Sequence, residues 1–152
     1  MNRRLLLLLA IVLVAVMLGA VREFLFINLN YQIDHLANRR PVSYAHSMFQ
    51  RWVAGADLSE LIWLKWLLSL LFMAIMLGLG ILLSRSLFGD HRYAGALAIA
   101  YALLGLLALL FHWISGGTGP WYNISIKLLH ALQYPVLLVF IWGGAQLARH
   151  RR

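Results

Sequence analysis

The chain has 152 residues, of which 62% are hydrophobic and 12% charged, with a formal net charge of +8 and no cysteine. An average soluble domain carries about 25% charged residues, so an ordinary soluble fold is excluded. The missing cysteine excludes disulfides, thiolate catalysis and Cys-ligated metals or clusters.

Four apolar runs, at about 5–27, 58–84, 93–115 and 123–147, fill most of the length. A hydrocarbon core of about 30 Å needs about 20 helical residues. The expectation is an all-α integral membrane protein, a four-helix bundle in a single membrane domain over residues 1–152. The cations sit at the ends of these runs, which argues for membrane placement and against a nucleic-acid partner. Arg3 and Arg4 precede the first run, Arg85, His91 and Arg92 separate the second from the third, and Arg149–Arg152 closes the chain. With four crossings these segments share one side. The positive-inside bias then puts both termini in the cytoplasm of a bacterium, as a multi-pass protein of its inner membrane. Trp52, Trp63, Trp113, Trp121 and Tyr122 would line the outer boundary, where aromatic belts form. The first run has the basic start and apolar stretch of a signal peptide, an alternative that would leave three helices. Leu18-Gly19-Ala20 is a poor cleavage site, however, and the apolar stretch runs on to Ile27.

Next in the chain comes an outer loop, 28–57. After Pro41 and Ser43, a helical stretch is expected over Tyr44–Val53, because Tyr44, Met48 and Trp52, and Ala45 and Phe49, recur every four residues. Gly55 would stop it. This reads as a short amphipathic helix that lies on the membrane surface or covers the bundle mouth. Asp57-Leu-Ser-Glu60 has the form of a capping box for the second long helix. Ser84–Arg92 reads as a polar hairpin. Gly116–Pro120 reads as a tight outer turn. Asn123-Ile124-Ser125 matches a glycosylation acceptor, a three-residue pattern common by chance.

Small residues suggest a packing seam: Ala74 and Gly78 on the second helix, and Ala94, Ala98, Ala102 and Gly105 on the third. Pro135 should kink the fourth helix by removing a backbone donor from the carbonyl of Ala131.

Candidate chemistry lies in polar residues at the outer helix ends. Arg22, Glu23, Glu60, Lys65, Lys127 and His130 form a candidate ionic cluster, functional or structural, since ionisable groups at membrane depth face a bundle interior or water. Taken singly each has a plain explanation: the lysines snorkel and Glu60 caps a helix. His112 and His130, on adjacent antiparallel helices, are the candidate axial ligands of a haem b. Phe111 and Trp113 beside His112, and Leu129 and Ala131 beside His130, leave little room for a porphyrin. Asp34-His35 and His46 have no metal-site spacing. No phosphate loop, zinc-protease motif or nucleophile elbow is present, and no catalytic residue is assigned. Ser69 and His130 form only a loose serine-enzyme pair.

Four features in order resemble the small four-helix membrane proteins associated with the exosortase F system of Bacteroidetes. These are Val21-Arg22-Glu23-Phe24-Leu25-Phe26, Leu64-Lys65-Trp66-Leu67-Leu68-Ser69-Leu70, the short basic hairpin, and Ile126-Lys127-Leu128-Leu129 with Gln133-Tyr134-Pro135 before an apolar run. Lys65-Trp66 stands where that family has an Arg-aromatic pair, and the outer loop here is more highly charged. The resemblance implies an accessory membrane protein beside a protein-sorting enzyme, with the catalytic residues in the exosortase. The functional expectation is thus a non-catalytic accessory or scaffold protein of a bacterial inner-membrane system, linked to protein sorting or export. It would partner the lipid bilayer and other membrane proteins and need no cofactor. The alternatives are a haem b-binding or redox subunit using His112 and His130, and a membrane enzyme or lipid-handling protein using the ionic cluster.

Overall fold

A computed structural model describes residues 3–88, 92–116, 118–135, 138–140 and 143. Among these residues the regular structure is entirely helical. The helices are α1 (Arg3–Ala37), α2 (Ser47–Trp52), α3 (Leu58–Phe88), α4 (Arg92–Ser115) and α5 (Gly119–Gln133). Three of them, α1, α3 and α4, are long and apolar enough to cross a membrane. The class defined by these helices is that of a helical membrane protein. The chain divides into two compact units, Leu18–Phe72 and Met1–Met17 with Met73–Arg152.

In the Leu18–Phe72 unit, α1 runs ten residues past its expected end at position 27. The reason is periodic: Leu25, Leu29, Ile33 and Leu36 carry one apolar face onward, and no glycine or proline interrupts before Pro41. These four side chains pack in one cluster with Ala45 and Phe49 around α2, and with Leu61, Leu64 and Leu68 of α3. Leu29, Phe49 and Leu61 are almost fully buried. The helix stops in a Schellman-like turn. The Asn38 N–H donates to the Asp34 carbonyl and the Arg40 N–H to the His35 carbonyl, both at 3.0 Å. Arg39 takes φ 49° at the position glycine usually fills.

The segment expected as a loop over 28–57 therefore shrinks to 38–57. Its helix α2 has six residues rather than the ten expected, because Ser43 and Ala45 are engaged in turn hydrogen bonds. The Ser43 hydroxyl donates to Gln32 Oε1 at 2.7 Å and accepts from the Ala45 N–H at 3.3 Å. Gly55, at φ 86°, turns the chain into α3. The capping box is complete. Asp57 Oδ1 accepts from the Glu60 N–H at 2.8 Å and Glu60 Oε2 accepts from the Asp57 N–H at 3.0 Å.

In the other unit, α4 packs against α5. Ser125, fully buried, donates its hydroxyl to the Ala108 carbonyl at 2.7 Å. The rings of Phe111 and Trp121 stack at 5.3 Å. The tight approach between α3 and α4 falls at Gly80, where an added Cβ would meet Leu97 Cδ2 at 2.9 Å. Of the expected seam, Ala94 and Ala98 are half-buried, Ala102 is exposed, and Gly78 and Gly105 have nothing within 4 Å of such a Cβ among the described residues.

The fourth apolar run departs from the single helix expected over 123–147. It starts early, at Gly119, because Pro120 lacks a donor and suits the first helical turn. It stops at Gln133, where Tyr134 adopts φ −105°, ψ 157°. A residue before proline is pushed out of the helical region in this way, so Pro135 breaks the helix instead of bending it. Helical bonding resumes beyond, with the Val139 N–H donating to the Pro135 carbonyl at 3.1 Å. Residues 144–147 of the expected span, and His91 and the Arg149–Arg152 end, lie outside the described residues.

Candidate functional site

The polar side chains with defined partners in the Leu18–Phe72 unit join α1 to the segment that carries α2. Asn28, 6% exposed, donates from Nδ2 to the Phe24 carbonyl at 2.7 Å, and its Oδ1 accepts from the His46 N–H. His46 then caps α2 with Nδ1, which accepts from the Met48 N–H at 3.2 Å. Its ring meets Phe24 edge-on at 5.9 Å. Gln50 closes the same turn by donating to the Ala45 carbonyl at 2.6 Å. Asp34 pairs with Arg40 at 2.9 Å and accepts from Asn38 at 2.6 Å. Asp34 and His46 are thus employed in fastening the chain to itself. His35 Nδ1 is buried without a hydrogen-bond partner.

Arg22 is only 3% exposed, and its guanidinium lies 4.6 Å from the centre of the Phe26 ring, one turn on. Phe26 in turn meets Phe72 of α3 edge-on at 6.2 Å. A desolvated cation over an aromatic face gains about 2 kcal/mol. The i,i+4 spacing of Arg22 and Phe26 was the available signal for this pair; sequence reasoning paired Arg22 with charges and missed the ring.

The other members of the expected ionic cluster divide between the units. Glu23, exposed, Glu60 and half-buried Lys65 share the unit of Arg22, and Glu60 uses its carboxylate on the α3 cap. Lys127 and His130 are exposed on α5, in the other unit. Asp57, outside the apolar spans, has its carboxyl held below its ordinary value by the Glu60 backbone N–H, helped by the Ser59 hydroxyl.

Three contacts fix the register of α4 on α5: Ser125 to Ala108, Trp121 to Phe111, and Tyr122 to His112, the last with rings 5.7 Å apart. In this antiparallel register paired positions sum to about 233, so His130 lies level with about position 103 of α4. At 1.5 Å per residue that is about 13 Å along the axis from His112. Two axial imidazoles of one iron must face each other at a common level. The residues present do not fit a haem held between His112 and His130.

No family model, curated protein or solved structure matches the chain.

Proposed function

We propose that the chain is a non-catalytic accessory or scaffold protein of a bacterial inner-membrane system that sorts or exports proteins. The observation that carries this reading is the constructional use of the polar groups around α2. Asn28, His46, Gln50, Asp34 and the Asp57–Glu60 box bond to their own chain and hold a short helix against two long ones. A site for chemistry would instead converge acid, base or nucleophile on a space for substrate. The resemblance to the exosortase F-associated proteins supports the same direction. So does Arg22, sheltered on Phe26 where a substrate-binding cation would face water or a cavity. By the positive-inside rule both termini face the cytoplasm, the segment 38–57 faces outward, and α5 with the residues beyond Pro135 completes the fourth crossing.

Purification in mild detergent from native membranes tests the proposal. Recovery of a larger membrane protein of a sorting or export system, in constant ratio to this chain, is the expected result. Recovery of the chain alone, across several detergents, overturns it.

A further inference from the structure

The side of the α2 segment turned away from the core is apolar, aromatic and cationic together. Phe49 and Ala45 point into the cluster with Leu29 and Leu61. Tyr44, Met48 and Trp52, spaced by four, are 70%, 39% and 61% exposed, and Val42 is 66% exposed. Trp63, near the start of α3, is 75% exposed. Arg39, three residues before Val42, and Arg51, next to Trp52, are exposed as well.

The height of this patch follows from two separate counts. About 20 helical residues cross the hydrocarbon core. Counted from Arg4 on α1, the core ends near position 24; counted from Arg85 on α3, it ends near position 65. Leu29 and Leu61 then stand about 7 Å and about 6 Å beyond the hydrocarbon, at 1.5 Å per residue. These two leucines share one cluster with Phe49, so the two counts agree on the level of α2. That level is the headgroup layer, which adds about 5–7 Å to each side of the core.

We propose that α2 is an interfacial anchor, with Tyr44, Met48 and Trp52 set among the phospholipid headgroups of the bilayer that holds the chain. Arg39 and Arg51 bind the phosphates of anionic lipids there. Tyrosine and tryptophan favour this layer because an apolar ring and a polar edge are satisfied together. Arginine binds a lipid phosphate through charge-assisted, bidentate hydrogen bonds. The two contacts are compatible because Phe49 faces the core while Met48 and Trp52, a turn apart, face out. The anchor depends on the chain being in a membrane and is independent of its accessory role, so its failure leaves the partner-recovery experiment standing.

Because the chain has no cysteine, spin labels can be placed singly in the full-length protein at Y44C, M48C and W52C. The protein is reconstituted in vesicles of phosphatidylcholine with phosphatidylglycerol. The labels should collide with oxygen in preference to a water-soluble nickel chelate at all three positions. R39Q with R51Q should reduce that preference to the value found in vesicles of phosphatidylcholine alone. Preference for the nickel chelate would mean a face in water, and low access to both reagents would mean a face covered by protein; either overturns the proposal. A label-free reading covers a labelled variant that loses its helices. In a variant that keeps Trp52 and carries phenylalanine at the other five tryptophans, the fluorescence should be quenched by lipid brominated near the headgroup. Fluorescence of Trp52 that this lipid leaves unquenched overturns the proposal as well.

Discussion

The polar side chains around α2 act as fasteners, and their worth is set by what they leave unpaired when removed. Asn28→Leu keeps the volume near constant but orphans the His46 N–H. A buried donor left unsatisfied costs about 1–3 kcal/mol. The expected result is a lower unfolding midpoint in detergent and faster proteolysis between Asn38 and Gly55, with α4 and α5 unaffected. Arg39 shows the opposite sign. It occupies left-handed backbone at φ 49°, where a side chain costs about 1–2 kcal/mol. Arg39→Gly should therefore stabilise the protein by about 1 kcal/mol in thermal unfolding. Asp57 adds a pH dependence. Its folded carboxyl titrates below the ordinary value of 3.8, chiefly through the Glu60 N–H. The stabilisation is thus complete above the unfolded value and lost as pH falls through the folded one. Amide exchange in the first turn of α3, corrected for its intrinsic pH dependence, should rise in protection between those limits as pH increases. Asp57→Asn should abolish that step.

At the scale of the elements, close approach and register decide what pattern alone left open. Gly78 and Gly80 look alike in the sequence, yet among the described residues only Gly80 meets a neighbour. Gly80→Leu should destabilise by about 1–3 kcal/mol through overpacking against Leu97 and Leu138, whereas Gly78→Ala should stabilise by up to about 1 kcal/mol through helix propensity. Unfolding of the two variants in one detergent would check the contrast. The register of α4 on α5 separates His112 from His130 by about 13 Å along the axis. The purified protein should accordingly show no Soret band that either His112→Ala or His130→Ala removes. A stoichiometric band lost in both variants would contradict that register.

At the scale of the whole molecule, the long helices follow from composition, and the proposed orientation rests on the placement of arginine. Single cysteines at positions 38 and 152 test the topology. A membrane-impermeant maleimide added to intact cells should label the first and spare the second. Labelling of position 152 from outside would reverse the assignment.

What the sequence by itself determined was the helical membrane class, three of the four spans expected and the capping box at Asp57. Each depends on local signals: mean hydropathy over about 20 residues, or a side chain reaching its own backbone three residues on. The extension of α1 to Ala37 was also legible, in the spacing of Leu25, Leu29, Ile33 and Leu36, but is obscured by the polar residues between them. Tertiary structure alone decided the rest. Asn28 became a bridge because the turn after Pro41 brings His46 back to it, 18 residues later. Gly80, and neither Gly78 nor Gly105, became the close contact because Leu97 arrives there. His112 and His130 parted because Ser125 locks to Ala108 and sets one register out of many. Such pairings join distant positions, and a pattern read along one chain holds no information about which partner will come to meet it.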